Sequence, residues 1–312
     1  MIDLIWIIGG AALLYFGGDL LVNGSSSLAR ILGMSPLVVG LTVVAFGTSS
    51  PELAATLVAA YKGAPQVAIG NVLGSNIANL GLILGSAALF YPLLAMARFI
   101  RRELPFMILT SALMMPLALD GSYGAIDGLM LVALLVFYLW MLLRKGEKPV
   151  VEEEFRNEFG DETGTIWKAA ISVLVGIGLL VGGAYALVEG AVSLARGFGI
   201  SETVIGITAV ALGTSLPELA AALVAARRRE GDIILGNIVG SNIFNVLAIL
   251  GLAAIALPIP VDIGEIRTPF LVMMFLSLIL LPFLLTRRRL SRPEGAFLLL
   301  VYLGYTLSLY LV

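Results

Sequence analysis

The sequence of 312 residues contains no cysteine and no histidine. The absence of cysteine excludes disulfides and thiolate chemistry, and the absence of histidine excludes imidazole as a metal ligand. Any metal cation bound by this chain must therefore be held by oxygen atoms.

Charged residues are also scarce: they form 13% of the chain, whereas 59% of its residues are hydrophobic and the mean hydropathy is +1.02. A net charge of −2 leaves no polycationic surface for nucleic acid. A composition this apolar excludes a soluble catalytic domain, so an enzyme is not expected. Each membrane span needs about 20 apolar residues, so the length allows roughly ten spans with short loops.

Apolar runs bounded by glycine, proline or charge predict ten spans. They lie near 2–22, 36–61, 66–91, 103–119, 123–144, 166–189, 201–226, 232–257, 268–286 and 294–312. The first run has neither a basic flank before it nor a small-residue cleavage site after it, so we expect a retained span rather than a signal peptide. The acidic segment 145–165 divides the chain into 1–144, with spans one to five, and 166–312, with spans six to ten.

The two halves repeat each other when 166 is added to a position in the first half. Gly-Thr-Ser-Ser-Pro-Glu-Leu-Ala-Ala at 47–55 corresponds to Gly-Thr-Ser-Leu-Pro-Glu-Leu-Ala-Ala at 213–221. Gly-Asn-Val-Leu-Gly-Ser-Asn-Ile-Ala-Asn at 70–79 corresponds to Gly-Asn-Ile-Val-Gly-Ser-Asn-Ile-Phe-Asn at 236–245. Because each half has an odd number of spans, the second half must enter the membrane from the opposite side, which makes the repeats inverted.

The basic residues predict the orientation. Sixteen of the 19 lie in loops after odd-numbered spans and three on the other side. Since lysine and arginine collect in cytoplasmic loops, we expect both termini outside the cytoplasm and the acidic linker inside it. The predicted protein is a multi-pass protein of the cell (inner) membrane.

Glu52 and Glu218 are predicted at the middle of the second and seventh spans, where an ionised carboxylate costs at least a few kcal/mol. Each follows a proline that disrupts the helix and a Gly-Thr-Ser segment, Thr48 and Ser49 in one half and Thr214 and Ser215 in the other. Such broken helices expose carbonyl oxygens, here expected from Ala45 and Thr48 and from Ala211 and Thr214. Carboxylate, carbonyl and hydroxyl oxygens together form a site for a hard cation. The alternative is an ordinary helix kink beside a packed, protonated glutamate, and the duplication in both halves argues against it.

Neutral oxygens on the next helix could complete this site. Ser75 and Asn79 are four residues apart, as are Ser241 and Asn245, so each pair shares one helical face. Their alternative role is structural, because glycines spaced four residues apart in the same segments are packing motifs, and serine or asparagine can join helices by hydrogen bonds.

These paired segments closely resemble the two alpha repeats of sodium/calcium exchangers of the calcium:cation antiporter superfamily, and the resemblance covers the whole chain. It implies ten spans in inverted halves around a central cytoplasmic linker. By position, Glu52, Asn79, Glu218 and Asn245 would form the central cation cluster. Ala45, Thr48 and Ser75 would line the inward sodium site, and Ala211, Thr214 and Ser241 the outward one.

Two positions narrow what the resemblance implies. Potassium-dependent exchangers have Asp where this chain has Asn245, so potassium coupling is not expected. Proton/calcium exchangers typically have Glu where this chain has Gly74, which disfavours proton coupling.

The resulting hypothesis is an all-α antiporter that exchanges sodium for calcium by alternating access, with broken second and seventh helices, no cofactor and a monomer as the expected form. The first and sixth spans would rock against the other eight. Their glycine-rich faces would let backbones slide closely, with Gly9, Gly10, Gly17 and Gly18 in the first span and Gly176, Gly178, Gly182 and Gly183 in the sixth. Proton/calcium exchange on the same glutamates is the alternative within transport. A cation channel is the alternative of another class, although channels usually place carboxylates in rings of symmetric oligomers. A structural or lipid-handling membrane protein would leave the duplicated glutamates unexplained.

Overall fold

The computed structural model describes residues 2–144, 165–197 and 213–309, and it is almost entirely helical. Residues 145–164 of the predicted linker lie outside the described residues. The helices of the first half are α1 (Ile2–Leu32), α2 (Pro36–Val39), α3 (Ala45–Thr48), α4 (Ser50–Tyr61), α5 (Pro65–Ala78), α6 (Leu84–Phe90), α7 (Leu104–Leu117) and α8 (Ala125–Arg144). Those of the second half are α9 (Ile166–Gly197), α10 (Leu216–Arg227), α11 (Gly231–Phe244), α12 (Gly251–Ala256), α13 (Ile263–Arg287) and α14 (Arg292–Ser308).

Four π-helical segments interrupt or precede these helices: π1 (Gly40–Val44), π2 (Asn79–Ile83), π3 (Phe99–Glu103) and π4 (Asn245–Leu250). The second and fourth begin at equivalent positions of the two repeats, Asn79 and Asn245. Single π turns are rare and are frequent at functional sites. The repeat seen in the sequence is therefore also a repeat of local backbone geometry at these two asparagines.

Six helices within the described residues are long and apolar enough to span a membrane. A seventh span results if Pro36–Thr48 and Ser50–Tyr61, which meet at an angle of 44°, are counted together. The ten-span arrangement stays a prediction, because α7, α10 and α14 have 14, 12 and 17 residues.

The predicted break in the second span is confirmed. It lies at Ser49, whose φ of −82° and ψ of 4° leave the helical region. Pro51 stands in the first turn of α4, where its missing N–H costs no hydrogen bond. In the second half α10 begins after Ser215, which has nearly the same conformation, with φ −90° and ψ 0°. Residues 198–212 of the predicted seventh span lie outside the described residues.

The helices α1 and α9 pack closely against each other through glycines. A Cβ atom at Gly10 would lie 2.5 Å from Leu187 N, and one at Gly176 would lie 2.6 Å from Leu21 N. Of the predicted glycines, Gly10, Gly17, Gly176 and Gly183 lie in this seam between α1 and α9, and Gly18 lies in close contact with Val224 of α10. The prediction of close contact was wrong for Gly9, Gly178 and Gly182, around which a Cβ would meet nothing within 4 Å.

Both helices are longer than the apolar runs predicted, which ended at 22 and 189. Polar and small residues follow those apolar runs, and hydropathy alone therefore ends the span there. Gly24, however, still packs against Val173 N and Ala169 O of α9, so the contact between the helices continues beyond the apolar stretch.

Two short antiparallel ladders connect the halves. Strand β1 (Leu93–Leu94) pairs with β4 (Arg289–Leu290), and β2 (Ser122–Tyr123) pairs with β3 (Ile259–Pro260). The first ladder joins loops that the sequence places after spans three and nine, and the second joins loops after spans four and eight. Each ladder therefore joins two loops predicted on the same side of the membrane.

Candidate cation site

Glu52 and Glu218 are both buried, each in the first turn of its helix, α4 and α10. Their side chains are 2% and 1% exposed, and the two carboxyl groups are close enough to interact electrostatically. Each carboxyl accepts a hydrogen bond from its own backbone N–H. The N-terminal end of a helix favours negative charge, so these positions place both carboxylates where the backbone partly compensates their burial.

Side chains of the first half contact the glutamate of the second. Ser49 Oγ donates to Glu218 Oε1 over 3.3 Å, and Thr48 is also hydrogen-bonded to this carboxyl group. Thr48 Oγ1 further lies 3.1 Å from Val44 O and 3.2 Å from Asn237 Oδ1. The predicted residues Thr48, Ser49 and Glu218 thus form one contact region between the halves.

The two predicted asparagines stand at equivalent points of the structure. Asn79 begins π2, which packs against the helix of Glu218, and Asn245 begins π4, which packs against the helix of Glu52. They are 2% and 1% exposed. Each half therefore packs the segment that begins at its asparagine against the helix that carries the glutamate of the other half.

The most informative feature of the site is that several oxygen atoms of these side chains have no hydrogen-bond donor. Within the described residues, Glu52 Oε2, Glu218 Oε2, Asn79 Oδ1 and Asn245 Oδ1 are all buried without a hydrogen-bond partner. A third buried carboxylate, Glu103, shows the contrast, because it pairs with Arg102 and with Tyr138, described below. Buried acceptors without donors cost about 1–3 kcal/mol each, more for charged ones, so such a cluster demands positive charge from elsewhere.

Glu103 was not singled out in the sequence, and the structure gives it a structural environment. Arg102 Nε lies 3.0 Å from its Oε1, and the Tyr138 hydroxyl donates to its Oε2 over 2.9 Å. The Tyr138 ring stacks on Phe106. A carboxylate satisfied in this way has little capacity left for a cation.

The remaining predicted residues of the first half are also buried. Ser75, 4% exposed, lies one helical turn before Asn79. Ala45 packs against α11, where a Cβ at Gly240 would lie 2.8 Å from Ala45 Cβ, and Ser241 follows directly. The carbonyl of Ala45 accepts a bond of 3.0 Å from Ser49 N, so the break leaves only one of its two lone pairs free.

In the second half, Thr214 Oγ1 and Ser215 Oγ are buried without a hydrogen-bond partner, and Ser241 Oγ lies 3.5 Å from Asn237 Oδ1. Ala211, predicted as a carbonyl donor, lies outside the described residues. No group of three or more Asp or Glu side chains that could hold a metal occurs in the ranges 2–144, 165–197 and 213–309. Within these ranges, two carboxylates are thus the full anionic charge of the site.

Sequence reasoning missed three asparagines that support the site. Asn71 Nδ2 donates to Glu52 O over 3.1 Å and to Thr56 Oγ1 over 2.9 Å. Asn237 Oδ1 faces Thr48, and Asn76 Oδ1 accepts from Asn245 Nδ2 over 2.9 Å. All three lie in the duplicated Gly-Asn segments, so the duplication was the signal that could have revealed them.

Comparison with known proteins identifies relatives over nearly the whole chain. A family profile described as "Sodium/calcium exchanger protein" matches residues 2–144 and 168–311. The antiporter CaxA of Alkalimonas amylolytica is 38% identical over 99% of both chains, and the sodium/calcium exchanger MaX1 of Methanosarcina acetivorans is 33% identical over 97% of both. The structure of the sodium-calcium exchanger NCX_Mj soaked with 10 mM Na⁺ and zero Ca²⁺ superimposes with a TM-score of 0.86, at 31% identity and over 99% of both chains.

Proposed function

Because the chain belongs to the sodium/calcium exchanger family of membrane antiporters, we propose that it exchanges sodium for calcium at the cluster of Glu52, Glu218, Asn79 and Asn245. The observation that carries this proposal is the set of four buried oxygens, one from each residue, that have no hydrogen-bond donor. Carboxylate and amide oxygens are the ligands that calcium and sodium prefer, and no nitrogen or sulfur ligand competes with them.

The charge of the cluster accounts for competition between the two ions. Two carboxylates are neutralised by one calcium ion or by two sodium ions. Since both glutamates serve either load, calcium and a full set of sodium ions exclude each other, and this exclusion enforces exchange. A further sodium ion on the neutral oxygens of Thr48, Ser75, Thr214, Ser241 and their neighbours would make each cycle carry net charge.

The same arrangement argues against potassium dependence. Asn245 contributes a neutral oxygen where potassium-dependent exchangers have a carboxylate, so the cluster lacks the third negative charge. We therefore propose an electrogenic and potassium-independent antiporter.

Access from the two sides would alternate through movement of α1 and α9 against the other helices. Gly10, Gly17, Gly176 and Gly183 let these two backbones approach to contact distance. We further propose that 1–144 and 166–312 are inverted repeats of five spans each, with 145–165 as a cytoplasmic linker and both termini outside. The ladders between loops of equal predicted sidedness support this arrangement.

The proposal is tested by calcium uptake into proteoliposomes under an outward sodium gradient, an outward proton gradient, or neither. We expect uptake with the sodium gradient only, and we expect it to be indifferent to potassium replacement. It should be faster when the interior is held positive, because three sodium ions that leave for each calcium ion that enters move one positive charge outward. Uptake driven by the proton gradient would favour proton/calcium exchange. Uptake without any gradient, at a flux typical of channels, would refute antiport.

A further inference from the structure

Asn245 is held by a chain of hydrogen bonds that spans three helical segments. Its Nδ2 donates to Asn76 Oδ1 of α5 over 2.9 Å, and Asn76 Nδ2 in turn lies 3.5 Å from Met273 Sδ of α13. Asn245 is 1% exposed, and Asn76 and Met273 are fully buried, so these groups are shielded from bulk solvent.

Met273 fixes the donor-to-acceptor direction of these two hydrogen bonds. A thioether sulfur is a weak acceptor and has no hydrogen to donate, so it can face only the amide nitrogen of Asn76. The oxygen of Asn76 then points to Asn245 and requires a donor, which only the Asn245 amide nitrogen supplies. The oxygen of Asn245 is thereby turned away from Asn76, and this is the atom that has no hydrogen-bond partner.

We propose that Asn76, oriented by Met273, is a positioning residue that keeps the carbonyl oxygen of Asn245 towards the transported cation. The inference rests on the proposed function and adds to it the group that decides which end of the amide faces the ion. The two ends of an asparagine amide are nearly equal in size, so packing alone does not select one. A reversed amide would present N–H groups to a cation and repel it.

The equivalent pair, Asn242 and Asn79, lacks this link. Asn242, the counterpart of Asn76, donates to Ile238 O of its own helix over 2.7 Å. Asn242 Oδ1 has no hydrogen-bond partner, and neither has Asn79 Oδ1. Asn242 therefore does not accept from the Asn79 amide, and a change at Asn242 serves as a matched control in an equally buried position.

The experiment is a double-mutant cycle between positions 76 and 245, with the apparent KM for calcium and the maximal rate measured in the same proteoliposomes. Asn76→Leu keeps the volume but removes the acceptor. It should raise the KM for calcium by about tenfold, the effect expected from one hydrogen bond of a group that binds an ion, with a much smaller effect on the maximal rate. In an Asn245→Ala background, where no amide remains to be oriented, the same change should alter the KM less than about twofold.

Two results would overturn the inference. One is an equal loss from Asn76→Leu in both backgrounds, because additive effects mean that Asn76 does not act through Asn245. The other is an equal loss from Asn242→Leu, because this would indicate a general packing effect.

If Asn76→Leu does not fold, Met273→Leu takes its place: it conserves volume and frees the Asn76 amide to turn. It should give a smaller rise in KM that also disappears with Asn245→Ala, and a persisting rise would count against the inference.

A binding measurement separates failure of this inference from failure of the proposed function. Calcium ions that bind the folded state raise the thermal unfolding midpoint of the detergent-solubilised protein, and the rise grows with the logarithm of the calcium concentration divided by its Kd. Wild-type protein that binds calcium but does not exchange it would refute antiport. The double-mutant cycle between positions 76 and 245 could then still be measured, with the calcium dependence of the unfolding midpoint in place of the KM. Wild-type protein that neither binds nor transports calcium would refute both.

Discussion

The seam between α1 and α9 allows a test with two neighbouring glycines. A Cβ at Gly183 would lie 2.8 Å from Leu14 N and 2.9 Å from Gly10 O, whereas a Cβ at Gly182 would meet nothing within 4 Å. Ordinary contact begins at 3.4 Å, so Gly183→Ala forces the two backbones apart by about 0.6 Å. Alanine favours both helical sites equally, by about 1 kcal/mol over glycine, so the pair differs only in the contact across the seam.

The size of the effect follows from the cost of overpacking. Adding a methyl group to a close-packed contact costs about 1–3 kcal/mol. If the variant relieves this contact at rest but must re-form it as α1 and α9 move, the cost adds to the barrier, and each 1.36 kcal/mol slows turnover about tenfold. We therefore expect Gly183→Ala to transport roughly 5 to 150 times more slowly than wild type. Gly182→Ala should transport at the wild-type rate.

The assay is sodium-driven calcium uptake at matched protein content, with thermal unfolding in detergent as a measure of folding. Gly183→Ala that is folded and slow, beside Gly182→Ala that is folded and fast, supports movement at the seam. Equal rates for the two variants would refute the reasoning, because the added methyl group would then be tolerated throughout the cycle.

Three further predictions concern the charge of the site and the orientation of the chain in the membrane. Replacing Glu52 or Glu218 by Gln should abolish exchange without preventing folding, since half of the anionic charge is lost at constant volume, and a Gln variant with wild-type flux would remove that residue from the site. Asn245→Asp should add a third carboxylate, so calcium flux should become more sensitive to low pH or to potassium, whereas unchanged ion and pH profiles in a functional variant would contradict a role in the site. Single cysteines introduced into 145–165 of this cysteine-free chain should react with a membrane-impermeant reagent only from the cytoplasmic side, and labelling from outside intact cells would contradict the proposed topology.

The central features of the site could be predicted because their motifs occur in both halves of the sequence. The Pro-Glu pair after Gly-Thr-Ser predicted the helix break that the structure has at Ser49, and in the second half a helix begins after Ser215, which has a similar backbone conformation. Proline and glycine act on the backbone locally, so such breaks can be recognised without knowledge of the partner helices.

Features that depend on a partner helix could not be predicted. The π turns that begin at Asn79 and Asn245 have no local signature of their own. Which glycines lie in the seam depends on the rotation of α1 and α9 about their axes, and for this reason Gly9 and Gly182 were misassigned. The hydrogen bond between Asn76 and Asn245 joins residues far apart in sequence, so only the folded chain reveals it.

The two ladders have a consequence for how the molecule can move and assemble. A rotation of one repeat against the other would break β1–β4 and β2–β3 together, whereas α1 and α9 belong to neither ladder and can be displaced with every ladder hydrogen bond intact. The ladders therefore favour the proposed movement, which takes one helix from each repeat. During synthesis, β1 has no partner until β4 follows, almost two hundred residues later, so this ladder can form only when the chain is nearly complete.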